Sequence, residues 1–424
     1  MLVHVAIIGN GIAGITAARE LRKRRPDCRI TVVSGESDHH YSRPALMYVF
    51  MGHMRYRDTK PYEDSFWPKN RIDLVRAWVR RIDVGKKTLE LDSGSPIRWD
   101  QLVVATGSRW NRLGVPGQEL AGVQGLYSLQ DLELLEKNVA LAKRAVIVGG
   151  GLIGIELAEM LHVRGVAVTF LVRESTYWGS ILPTEESAMV NRVIRKEGID
   201  LRLSTQLKEI VDDGRGRVGA VLTDGGERIE CQLVGLTAGV SPNLSVLEGS
   251  GVPTGRGVLV DCSFRTGVPN VFAAGDCAEI RFEDGANRIE QLWYTGRMQG
   301  EQLARVLAGE ATAYDRGVWF NSAKFLDLEY QTYGLVKRDV PGEKNLYWQA
   351  DDGLHALRVV YTDESVIGFN ALGIRYRHKI CERWIREKKS VEYVMANLPE
   401  ANFDPEFFRR HERDMVRAWK EQLA

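Results

Sequence analysis

Six glycines at matched spacing carry the clearest chemistry in this chain: Gly9, Gly11 and Gly14 near its start, and Gly149, Gly151 and Gly154 in its middle. Each set follows an apolar run, Val5-Ala6-Ile7-Ile8 or Ala145-Val146-Ile147-Val148, and opens an amphipathic stretch. In such a strand–turn–helix the first glycine permits a tight bend, the second lets main-chain N–H groups approach a pyrophosphate, and the third packs helix on strand. The first helical residues, Ile12 and Ala13 in one copy and Leu152 and Ile153 in the other, then offer amides and the positive end of a helix to an anion. One such loop is weak evidence, because glycine-rich turns also serve plain structure. Two, each in the right context, point to two dinucleotides on one chain and to electron transfer between them.

The elements that must position these loops repeat. Arg29 to Val33 is a β-branched second strand, Arg71 to Ser93 reads as short strands with a Val84-Gly85-Lys86 turn, and Gln101 to Gly107 with Pro116-Gly117 closes the unit. The pattern recurs: Arg144 to Arg173 reads as strand–helix–strand, Ile199 to Cys231 as a meander with Asp213-Gly214 and Asp224-Gly225-Gly226 turns, and Val234 to Gly239 echoes Val103 to Gly107. From about Ala311 the character changes. Aromatics cluster at Val318-Trp319-Phe320 and Leu346-Tyr347-Trp348, a hairpin turns at Asp363-Glu364, and two helices follow, the last predicted to be capped by Asp404 and Pro405. The expected fold is α/β: two Rossmann-like dinucleotide-binding domains, one inserted in the other, plus a small α+β C-terminal domain. The expected boundaries are 1–111 with 240–310, then 112–239, then 311–424.

Composition narrows the function classes. At 424 residues and 44% hydrophobic the chain can bury two or three cores. A net charge of +1 provides no electrostatic footprint for nucleic acid, and no apolar run approaches the roughly 20 residues of a membrane span. Arg22-Lys23-Arg24-Arg25 reads as a solvated basic helix end. Cys28, Cys231, Cys262, Cys277 and Cys381 are scattered with no C-x-x-C, so neither a disulfide framework nor an internal dithiol relay is implied, and a reducing, cytoplasmic compartment is expected. Cys277 reads as a small buried hydrophobe. His39-His40 is the only histidine pair, and adjacent residues on an extended segment face opposite ways; no metal site is expected.

Taken together, these motifs resemble those of the two-dinucleotide-binding-domain flavoprotein reductases of the pyridine nucleotide–disulfide oxidoreductase superfamily. The branch with rubredoxin reductase, ferredoxin reductase and the flavin domain of nitrite reductase is nearest, over about residues 1 to 310. Gly9 to Gly14 is similar to that family's FAD loop, and Tyr41-Ser42-Arg43-Pro44-Ala45-Leu46 to its Y-x-R-P-x-L segment beside the flavin. Ala105-Thr106-Gly107-Ser108 resembles its A-T-G-S hinge, and Gly149 to Glu156 its pyridine-nucleotide loop. Gly275-Asp276 resembles the pair whose Asp contacts the ribityl chain, and Glu290-Gln291-Leu292-Trp293 the stretch over the flavin pyrimidine edge. The resemblance implies FAD and NAD(P)H as cofactors, with Val79 and Gly239 added to the binding set.

Three departures from the family pattern bear on function. Members often place an acid at the end of the second strand to hold ribose hydroxyls; here Ser34 stands there, with Glu36 two residues on as a substitute. In the second unit Val172 stands where NADH users commonly have Glu, followed by Arg173. Arg173 is able to pair a 2′-phosphate, which favours NADPH; an Arg173–Glu174 surface with no ligand role is the alternative. At the reaction centre Tyr48 occupies the place of a family lysine, which leaves Glu156 to find another partner, such as Arg43 or water, or to sit as a partly exposed helix residue. Glu156, Tyr48 and Trp293 are the candidates for the reaction centre.

The expected activity is hydride transfer from NAD(P)H to FAD and onward passage of electrons without a dithiol. The acceptor would be a carrier such as rubredoxin or ferredoxin, a partner subunit, or a small acceptor such as a quinone. The aromatic tail is a candidate partner or homodimer surface, or simply packs its own core. The alternative is a slow redox sensor or assembly protein that keeps both dinucleotides as ligands.

Overall fold

The computed structural model describes residues 2–403 and 409–423. His4–Ile8 sits at the centre of a five-stranded parallel sheet because its side chains, from Val5 to Ile8, are apolar on both faces and buried. The order is Val271–Ala273, Gln101–Val104, His4–Ile8, Arg29–Ser34, Ile72–Arg76. Arg144–Val148 holds the same place in a second five-stranded sheet, ordered Val123–Gln124, Leu233–Leu236, Arg144–Val148, Ala167–Val172, Asp200–Leu203. Each has a three-stranded antiparallel meander attached in sequence: Val79–Asp83, Thr88–Leu91 and Ile97–Arg98 in the first, Leu207–Asp212, Val218–Thr223 and Arg228–Glu230 in the second. The repeat expected from the sequence is thus a repeat of topology.

Two units emerge, Met1–Arg112 with Gln124–Ala140 and Gly239–Arg316, and Leu113–Val123 with Leu141–Ala238 and Gly317–Ala424. In the first, helix Ile12–Arg24 packs on helix Trp293–Leu307 through glycines. A methyl group on Gly300 would lie 2.5 Å from the Ala13 carbonyl oxygen, so only hydrogen fits at this crossing. In the second, the C-terminal segment forms an antiparallel five-stranded sheet, Phe320–Phe325, Leu328–Gly334, Val366–Leu372, Ala356–Tyr361, Lys344–Gln349. Its aromatics fill a core of their own, with Trp384, Trp419 and Tyr376 almost wholly enclosed.

Two local expectations change. Arg22 is not solvated: its guanidinium donates to the carbonyls of Cys28, Pro26, Asn70 and Arg71 at 2.6–3.0 Å, so it is buried as a staple joining the segments that lead into the second and third strands. Its neighbours Lys23 and Arg24 pair with Glu20 as expected of a helix end. Among the described residues three α-helices rather than two follow the sheet, His378–Arg386, Val391–Asn397 and Glu412–Leu423, because Ser390 caps a separate helix by accepting from the Tyr393 amide. The cap expected at Asp404 and Pro405 lies outside the described residues.

Candidate functional site

Both glycine loops are built by the same main-chain bonds. The Gly9 amide donates to Val33 at 2.8 Å and the Gly149 amide to Leu171 at 3.0 Å; the Ala105 amide reaches Ile8 and the Thr237 amide reaches Val148. Gly9 and Gly149 adopt φ of +110° and +118°, and a Cβ there would strike the Ala105 or Thr237 carbonyl oxygen at 2.1 or 2.7 Å. Gly11 and Gly151 differ in kind. A Cβ on either meets nothing within 4 Å, so each faces open space. They stand at the N-caps of Ile12–Arg24 and Leu152–Val163 with no side-chain cap, so the first helix amides, Ile12 and Ala13 or Leu152 and Ile153, remain for a ligand. Gly14 and Gly154 press on the carbonyl oxygens of Gly9 and Gly149, at 2.2 and 2.7 Å from a would-be Cβ. Such a cradle, empty of side chain and lined by unspent donors, fits a pyrophosphate.

Around the first loop lies a polar network. Arg43 grips Glu36 with both terminal nitrogens at 2.8 Å and donates to the Tyr127 carbonyl at 2.6 Å. Glu36 also accepts from the Tyr41 phenol and the Leu129 amide. Burial works to raise the Glu36 carboxyl, but the Arg43 charge and these donors hold it below the ordinary range. Ser34, at the strand end, accepts from the Glu36 amide. Arg43 is therefore committed to Glu36 and not left for Glu156, which corrects one of the partners considered for that carboxyl. Pro44 follows at the start of a short 3₁₀ turn, and Tyr48 lies in Leu46–Phe50 beside His53.

Asp276 accepts from Ser108 at 3.0 Å and from Tyr127 at 3.2 Å, and burial raises its carboxyl despite them. Gln291 donates to Ser108 at 2.9 Å, so the network ties together Gln291, the hinge and Gly275-Asp276. Thr106 bonds Asn243, Gly107 has φ of +68° under the Tyr127 phenol, and the Gly239 carbonyl accepts from Asn111. Leu292 caps the helix that begins at Trp293, whose indole packs edge-on to Tyr294. Val79 opens its meander half-buried. Sequence reasoning missed Tyr127 and Asn10. Asn10 is buried in the loop and donates to Ser37, while its carbonyl bonds His40, whose imidazole burial drives down to about 4. A polar side chain between Gly9 and Gly11 was the available signal.

In the second unit Glu156 is the outlier. It sits one turn from Glu159 on the loop helix, and burial, then the Glu159 carboxylate, push it up to about 7, with Lys324 pulling the other way. Lys324, on the C-terminal strand Phe320–Phe325, donates to Glu159 at 2.5 Å. Tyr177 is fully buried and donates to the Gly151 carbonyl at 2.8 Å. Neither Lys324 nor Tyr177 was legible, since neither lies near the loop in sequence. Val172 is buried beneath Gly150, and Arg173 follows it, exposed and paired with Glu174 at 2.9 Å. The five cysteines are free, and Cys277 is buried beside the Val104 carbonyl. Among the described residues no helix is long and apolar enough to cross a membrane.

The model of the family described as "Pyridine nucleotide-disulphide oxidoreductase" matches residues 3–300. The chain belongs to that family. It is an FAD-dependent NAD(P)H oxidoreductase, and its cofactors are FAD and NAD(P)H. The oxidoreductase is 30% identical over 311 residues to the ferredoxin–NAD(+) reductase component of the biphenyl dioxygenase system of Paraburkholderia xenovorans, covering 73% of this chain and 76% of that one. It is 30% identical over 401 residues to the corresponding component of the p-cumate 2,3-dioxygenase system of Pseudomonas putida, covering 92% and 94%. Among solved structures, the putidaredoxin reductase–putidaredoxin complex matches with a TM-score of 0.82 at 21% identity over 99% of each chain, a likeness of fold.

Proposed function

We propose that this oxidoreductase passes electrons from NAD(P)H through FAD to a small iron–sulfur carrier protein of the ferredoxin or rubredoxin kind, in the cytoplasm. The observation that carries it is the 30% identity, over 92% of this chain, to a ferredoxin–NAD(+) reductase component; rubredoxin–NAD(+) reductase of Pseudomonas putida, 29% identical over 313 residues, supports the same reading. The five free cysteines offer no spaced dithiol for an internal relay.

When bound, NAD(P)H supplies a hydride and FAD takes it up and releases electrons singly. The chain's own part is to hold and orient. Gly9, Gly11, Ile12, Ala13 and Gly14 offer the cradle for the FAD pyrophosphate, and Gly149, Gly151, Leu152, Ile153 and Gly154 that for NAD(P)H. Asp276, oriented by Ser108 and Tyr127, is placed to accept from ribityl hydroxyls, with Gln291 and Leu292 beside it. Arg173 is assigned to the 2′-phosphate of NADPH. Glu156, Tyr48 and Trp293 are proposed to line the reacting rings. Residues 1–111 and 240–310 then serve FAD, 112–239 NAD(P)H, and 311–424 a partner or a second copy.

The test is an anaerobic titration of the yellow protein with NADH and NADPH, followed by a [2Fe–2S] ferredoxin and a rubredoxin. Bleaching by nicotinamide and reoxidation by either carrier is expected; bleaching with no turnover on any acceptor would instead mark a sensor. Gly11→Ala should fold but emerge colourless, whereas Gly151→Ala should keep its flavin and need about tenfold more NAD(P)H to bleach it, because each methyl enters only the space meant for a phosphate.

A further inference from the structure

Trp78 combines exposure with restraint. The residue is 48% exposed, unusual for so large an apolar group. Yet its amide donates to Asp92 Oδ1 at 2.9 Å and its carbonyl accepts from the Asp92 amide at 2.9 Å, so its backbone is clamped on both sides. The preceding residue, Ala77, donates its amide to the Ser34 carbonyl at 3.2 Å, which fixes Trp78 against the end of the second strand. There the indole lies against Gly35: a methyl on Gly35 would fall 2.0–2.4 Å from Cδ2, Cε2 and Cγ. Gly35 is not among the glycines of positive φ, so its need for hydrogen is the closeness of that ring and not its backbone.

The place matters because dinucleotides bind beyond the carboxyl ends of parallel strands, with the adenosine ribose at the end of the second strand. Here the acid that would hold that ribose is missing from the strand end, where Ser34 stands. Glu36 is spent on Arg43, Tyr41 and the Leu129 amide. Charge is thus withdrawn from the adenosine end while a rigid π-face is offered to it. Resting on the FAD reading above, we propose that the indole of Trp78 is the platform on which the adenine ring of FAD stacks, and that Gly35 is glycine so that the indole can lie there. No covalent step is involved; Trp78 is a binding and positioning residue.

The experiment uses the full chain stripped of flavin, with FAD, riboflavin and ADP as probes. Base–aromatic stacking of this kind corresponds to about tenfold in affinity. Trp78→Ala should therefore weaken FAD about tenfold while leaving riboflavin, which has no adenine, within a factor of two. Trp78→Phe should restore most of the loss. Gly35→Ala, which leaves the indole present but displaced, should behave like Trp78→Ala. ADP should quench tryptophan emission in the parent chain and do so less in Trp78→Phe. Equal losses for FAD and riboflavin, an unchanged FAD affinity in Trp78→Ala, or ADP quenching that survives in Trp78→Phe would each overturn the assignment. If the parent chain itself binds no FAD, the functional reading fails as well; if it turns yellow and only these ratios disagree, the adenine platform alone is lost.

Discussion

The two dinucleotide units share a backbone and differ in what they do with a buried carboxyl. Beside the first loop, Glu36 faces Arg43 bidentately and stays ionised. On the helix of the second loop, Glu156 is buried with another carboxylate, Glu159, one turn away, and the opposing pull of Lys324, which donates to Glu159, is the smaller effect, so it holds its proton up to about pH 7. Loop geometry and site electrostatics are thus separable: the amide cradle is set by glycines and strand register, whereas the charge state is set by which side chains the rest of the fold delivers. The loops' middle residues repeat the contrast. Asn10 pegs the first loop to Ser37, while Gly150 has no side chain and sits on Val172.

The largest way to break this comparison is Arg43→Ala. It strands Glu36 in a largely closed site and also releases the Tyr127 carbonyl, so a loss of about 3 kcal/mol is expected. Chemical denaturation and flavin retention would both report it; an unchanged midpoint would mean the pair is ornamental. Next is Arg173→Ala, which removes a charge-assisted bond of about 1.5–3 kcal/mol to a 2′-phosphate. The Michaelis constant for NADPH should rise about tenfold or more with that for NADH barely moved, and equal changes would assign Arg173 to the surface with Glu174.

A pH scan sharpens the contrast further. Glu156 is raised from 4.5 to about 7, so the folded state binds the extra proton. Its stabilising contribution is whole below pH 4.5 and is lost as pH climbs through 7. Since Glu156 as a residue is half-buried, the loss is about 1–2 kcal/mol. Glu156→Gln should match the parent chain below pH 4.5 and exceed it by that amount at pH 8. His40 works in the opposite sense. Lowered from 6.5 to about 4 by burial, it costs stability as pH falls between those values. His40→Gln should flatten the acid limb by a similar or smaller amount. Melting temperatures from pH 4 to 9 test both, and coincident curves for either pair of proteins would refute its assignment.

Sequence alone determined a good deal here. The glycine spacings, the apolar runs before them and the repeat of turns specify two parallel sheets with their loops, because these depend on local sterics and on periodicity along the chain. The family motifs singled out Asp276 and Gln291, which the fold joins through Ser108. Tertiary structure alone decided which charges meet. Arg22, within a basic run that looked solvated, became a buried staple because the segments leading into strands Arg29–Ser34 and Ile72–Arg76, at Cys28 and Arg71, converge on it. Lys324 reached Glu159 across 165 residues, and Tyr127 reached Asp276 across 149. Such partners follow no short period, and the charge state of a buried group depends on distance in space, which only the folded chain supplies.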